Sequence, residues 1–68
     1  MMYVIGREWV DGGKVYRRFL IIEKDYFDYT ARMGRARRWK VRHSPAKWLA
    51  ERPGLEEKGY RVIEVEER

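Results

Sequence analysis

The sequence predicts an α+β fold, a small and mostly antiparallel sheet in the order β-β-β-α-β with one main helix packed on one face. Three features carry that expectation. Two runs rich in β-branched and aromatic residues flank the turn sequence "DGGK". Ser44-Pro45 announces a helix, and the chain closes on the alternating run "YRVIEVEE". A chain of 68 residues holds one hydrophobic core, so residues 1–68 are expected to form a single domain.

The first strand is "YVIGREWV", residues 3–10. "DGGK" turns it back, because Gly12 and Gly13 accept the positive φ that a two-residue hairpin turn demands. "VYRRFLIIE", residues 15–23, resumes strand character and completes a β-hairpin. Phe19-Leu20-Ile21-Ile22 is apolar at consecutive positions, which places this strand inside the sheet with both faces covered for part of its length. "KDYFDYTARMG" follows as a loop pinned over the core by Tyr26, Phe27 and Tyr29, with a short helical turn from Thr30 to Gly34 as the alternative.

In "ARRWKVR", Trp39 and Val41 alternate with Arg38, Lys40 and Arg42, the pattern of a half-buried third strand with a basic outer face. Ser44 is placed to cap the helix, with Pro45 at its first position, where a missing N–H costs nothing. Ala46, Leu49 and Ala50 share one helical stripe, with Trp48 on its shoulder. Pro53-Gly54 stops or kinks the helix, "LEEK" adds a turn, and Gly59 ends it. In the last strand Ile63 and Val65 oppose Glu64 and Glu66.

Part of this pattern resembles a group of small uncharacterised α+β proteins of bacteria and their phages. They combine a starting strand or hairpin, a "YT" followed by an Ala-Arg-x-aromatic segment, a Ser-initiated helix and a final Gly-Tyr-x-Val strand. The matching positions are Tyr29, Thr30, Ala36, Arg37, Arg38, Trp39, Ser44, Trp48, Leu49 and residues 59–65. Pro45-Ala46 departs from the acidic residue usual just after the helix start. These are packing and capping positions, so the resemblance implies a fold and transfers no site.

Composition narrows the function. The charged fraction is 40%, well above the roughly 25% of ordinary domains, while Asn, Gln and Cys are absent. That bias is expected of a heat-adapted protein, from a thermophile or its virus. Without cysteine there is no disulfide or thiolate zinc site, and a reducing, cytoplasmic setting fits. No apolar run approaches the roughly 18 residues of a membrane span. The start "MMYVIGREWV" lacks a signal peptide's basic region and long apolar core.

The net charge of +5 is unevenly placed. Residues 32–42 carry six Arg or Lys and no acid. Arg32, Arg35, Arg37, Arg38, Lys40 and Arg42, with Lys47 beyond them, are the candidate contacts for a DNA or RNA backbone, whose phosphates suit the planar guanidinium fork. Tyr16 and Tyr29 are candidate platforms for unstacked bases, with Trp9 as a third, while Trp39 and Trp48 are assigned to the core. Two plainer accounts compete: a solvated or edge-protecting basic face, and pairing of these arginines with Glu64, Glu66 and Glu67. The alternative function is a protein-interaction or regulatory module, a homodimer or a protein docking on a host or viral machine. Tyr3, Trp9, Tyr26 and Phe27 would then supply the contacts.

Catalysis finds little support. His43, Ser44 and Thr30 are each the sole residue of their kind, and the side chains of adjacent His43-Ser44 would diverge. Asp25 and Asp28 are too sparse a carboxylate pair to hold a metal, and no glycine-rich phosphate loop is present. The expectation is a non-enzyme without cofactor, metal or small-molecule substrate.

Overall fold

The computed structural model describes residues 1–23 and 26–66. Strands β1 (Met2–Asp11), β2 (Lys14–Ile22), β3 (Phe27–Thr30) and β4 (Arg61–Val65) form one sheet in the order β3-β2-β1-β4. All three pairings are antiparallel. A 3-10 turn at Met33–Arg35 and helices α1 (His43–Ala50) and α2 (Pro53–Glu57) lie between β3 and β4. The small α+β architecture with a main helix on the sheet is thus the one expected, but its third strand lies elsewhere.

The hairpin forms where the two glycines demand it. Gly12 and Gly13 have φ of 57° and 79°, the twisted two-residue turn that matches the twist of paired strands. Counting outward from that turn pairs Val10 with Val15, Trp9 with Tyr16, Glu8 with Arg17 and Arg7 with Arg18. β1 then changes partners at Gly6, which faces Phe19 on one side and Arg61 of β4 on the other. β2 makes the corresponding change at Phe19, which also pairs with Thr30 of β3. Residues 7–11 and 14–18 therefore project beyond the four-stranded part as a two-stranded ribbon, about 17 Å long at ~3.3 Å per residue.

Gly6 is fixed by close approach. A Cβ there would stand 2.6 Å from the Phe19 ring and 3.0 Å from the Arg18 carbonyl oxygen. Beyond this point β1 and β2 splay apart, and residues 37–39 fill the gap. Tyr3 and Trp39 exchange two backbone hydrogen bonds of 2.9 Å, and the Arg37 N–H donates to the Leu20 carbonyl at 2.9 Å.

Both faces of the four-stranded part are covered. Ile5 and Leu20 meet Leu49 of α1, Leu55 of α2 and Tyr60 on the helix side. Val4 and Phe19 meet Ala36 on the other. Adjacent Phe19 and Leu20 point to opposite faces and are both buried, as expected for an inner strand. Ile5 and Leu20 are wholly buried, each worth roughly 1.5–3 kcal/mol of apolar transfer. α2 ends as its glycine predicts: Gly59 has φ 98°, its N–H donates to the Glu56 carbonyl, and the Tyr60 N–H donates to that of Leu55. That pattern, with the Leu55–Tyr60 apolar contact beside it, closes the orphaned carbonyls of the last turn.

Three expectations are corrected. β3 occupies Phe27–Thr30, inside the segment expected to be a loop, and the helical turn of that region begins at Met33. Residues 38–42 are not a strand. Only Trp39 makes a bridge, to Tyr3, and Val41 stands 48% exposed in a bend. Ser44 does not cap α1. The helix starts at His43 with Arg42 in the capping position, Ser44 and Pro45 are its second and third residues, and no side chain caps its N-terminus. Pro45 is tolerated there because the first four helical N–H groups lack helical partners anyway. Its buried ring joins Leu49, four residues on, in the stripe facing the sheet, while Ala46 and Ala50 are exposed.

Candidate nucleic-acid interface

Strand alternation puts Arg7, Trp9, Tyr16 and Arg18 on the same face of the ribbon as Ile5 and Leu20, but past the end of the covering helices. Trp9 and Tyr16, directly opposed, stack with centroids 5.5 Å apart and planes 17° from parallel. The Arg7 guanidinium lies 4.4 Å from the Trp9 centroid, and that of Arg18 lies 5.5 Å from both Trp9 and Tyr29. Each such contact at an exposed site is worth about 0.5–1 kcal/mol. Tyr29 rests 5.8 Å from Tyr60, so Arg18 links the ribbon's Trp9 to rings that reach the core.

Trp9, Tyr16, Arg18 and Tyr29, with Arg17, Thr30 and Ala31, line a cleft of about 480 Å³ that contains no carboxylate. Tyr16 and Tyr29 keep 41% and 38% of their surface exposed, so each offers a ring to a solute. Burial, with Tyr29 alongside, raises the Tyr60 pKa above 10.0, while nearby Arg18 and Arg7 pull it back. On the opposite face Glu8 accepts from Arg17 at 2.6 Å, the one ion pair among the described residues.

Of the basic segment 32–42 only Arg32 adjoins this cleft, and the segment is not the ladder its alternation implies. Arg32 directly follows the cleft residue Ala31, and its N–H donates to the Thr30 hydroxyl. Arg35 closes the 3-10 turn, exposed, and Arg38 and Lys40 are exposed on either side of Trp39. Arg37 lies 5.5 Å from the Trp39 ring, in a separate cleft. Arg42 lines a third hollow with Tyr60 and Arg61, and Lys47 is exposed on α1. Among the described residues, Glu64 and Glu66 make no ion pair with Arg38, Lys40 or Arg42. Glu67 lies outside the described residues.

The separate cleft, about 630 Å³, lies over the sheet's other end between Phe27, Trp39 and Trp48. The two tryptophans, assigned to the core, are half-buried and pack against its rim. Arg52 stacks 3.9 Å from the Trp48 ring and donates to the Trp48 carbonyl at 2.9 Å, which fixes its guanidinium. Of the candidate metal pair, Asp25 falls outside the described residues. Asp28 is exposed and accepts from the Tyr29 N–H. His43 is exposed at the first turn of α1. No described helix is long and apolar enough to cross a membrane.

Arg7 and Arg18 belong to this surface and are absent from the sequence-derived candidates. Eleven positions apart, they acquire a common place only through the hairpin register. The signal was nonetheless present, since a two-residue turn at Gly12-Gly13 fixes that register. Comparison with protein-family models, with curated proteins and with solved structures returned no match.

Proposed function

We propose that the protein binds single-stranded DNA or RNA across the ribbon and the adjoining sheet edge. Tyr16 and Tyr29 take unstacked bases, Arg18 engages the backbone between them, and the basic segment from Arg32 onward extends the phosphate contacts. One observation carries this reading: two half-exposed tyrosines flank an arginine in a cleft without a carboxylate. Duplex bases hide their faces from such rings, whereas a single strand offers them, which favours the unpaired form. The runner-up, a protein-interaction module or homodimer, would use the same exposed aromatic and arginine side chains.

The test is the affinity for a fluorescent ~10-mer single strand across a salt series. About four phosphate contacts predict a log–log slope near −2.8, at ~0.7 per contact on single strands. Tyr16→Ala should weaken binding by about 5- to 150-fold, the equivalent of one base stack of ~1–3 kcal/mol. Absence of binding at low salt, with a mass shift from self-association or a protein partner instead, sinks the nucleic-acid reading and favours the runner-up.

A further inference from the structure

We infer that Arg7 and Arg18 together form a built anion site that seats a single phosphate group. The inference deepens the proposed nucleic-acid reading and rests on it for the phosphate's source, a backbone phosphodiester.

The two arginines are direct cross-strand partners on one face of the ribbon. Like charges so placed repel, whereas an opposite charge there stabilises the pair. The ribbon has such an opposite pair one position further out, where Glu8 faces Arg17 and the two bond. Among the described residues no carboxylate pairs with Arg7 or Arg18. Neither arginine is loose. Arg7 lies over Trp9 and 5.8 Å from the Tyr60 centroid, while Arg18 lies between Trp9 and Tyr29. The rings explain how the two cations are held, but not why two are placed together. A bound anion accounts for both: it accepts from two guanidinium forks already positioned by stacking, and it cancels their repulsion. A phosphodiester suits this, since its two charged, non-bridging oxygens carry lone pairs enough to accept from both forks. The stacked Trp9–Tyr16 pair beside it gives the attached sugar and base a surface to follow.

The experiment is a double-mutant cycle on the full chain with Arg7→Gln, Arg18→Gln and both. In phosphate-free, low-salt buffer the second replacement should lower Tm more than the same replacement in the parent, because repulsion is relieved only once. With the ~10-mer single strand, either replacement should reduce the salt slope by about 0.7, and the double replacement by no more than that. Additive slope losses, or a cycle without repulsion, overturn the shared site while leaving nucleic-acid binding intact. If the strand fails to bind at all, the reading of function fails instead, and pyrophosphate decides the site. A Tm rise in the parent that both single variants lose keeps an anion site for free phosphate compounds, and no rise removes it. Should Gln at position 7 block folding, Arg7→Lys keeps the charge without the fork. It should then lower affinity at an unchanged slope, and unchanged affinity counts against the site.

Discussion

Strands β1 and β2 run through two regions that treat the same kinds of side chain differently. In the inner region, residues 2–6 and 19–22 are flanked by further strands and covered by α1 and α2 on one side and by Ala36 on the other. In the ribbon, residues 7–11 and 14–18 pair only with each other, and the Trp9 ring lies against two guanidinium groups while Tyr16 stays largely exposed. A leucine over a ring excludes water and nothing else. An arginine over a ring shields it too, yet keeps a charge and several hydrogen-bond donors at the surface. Burial is concentrated in the first region and the proposed binding surface lies in the second, with Gly6 and Phe19 as the shared joint.

Three changes sharpen or break that division. Leu20→Ala empties a wholly buried position and should cost about 2–5 kcal/mol, measured from the urea midpoint. Single-strand affinity of the folded protein should not change with it; a parallel loss would mean the two regions act as one. Gly6→Ala attacks the joint itself. Its Cβ would meet a buried ring and a backbone carbonyl, so a cost of about 1–3 kcal/mol is expected in the same assay. A neutral result would show that the splay is loosely determined.

The smallest effect is one of pH. Tyr60 sits where the regions meet, and burial raises its pKa above 10.0. The folded state thus holds this proton more tightly than the unfolded chain. Its contribution is fully present below pH 10.0 and is lost as pH rises through the higher folded value. An alkaline Tm series should show this loss in the parent and lack it in Tyr60→Phe. Identical series would place the alkaline sensitivity elsewhere.

The sequence announced its local devices more openly than its long-range ones. Gly12-Gly13 and Gly59 marked backbone at positive φ, which few other residues tolerate, and the structure has it there. The apolar run from Phe19 foretold an inner strand, because no other place buries consecutive side chains on both faces. β3 was hidden because four residues, "FDYT", give too short an alternation, and Tyr29 and Asp28 both remain exposed. Residues 38–42 misled in the opposite way. Trp39 and Val41 have the strand period, but α1 starts at His43 and leaves no length for pairing beyond one bridge. At the candidate site, Tyr16 and Tyr29 were legible as aromatics beside the basic stripe, while the exposure of Tyr29 was not, because its segment was expected to pack onto the core. The Arg7–Arg18 pair was not, because its meaning lies in a register between distant positions.

The wedge of residues 37–39 has a bearing on how copies of this chain coexist. Where β1 and β2 part, Tyr3 and Leu20 would present unpaired backbone groups to the solvent, an opening into which a neighbour's strand could insert. Trp39 and Arg37 saturate those groups from within the same molecule. Part of the segment singled out for its charge therefore closes this gap through its backbone, and its guanidinium groups take no part in those hydrogen bonds.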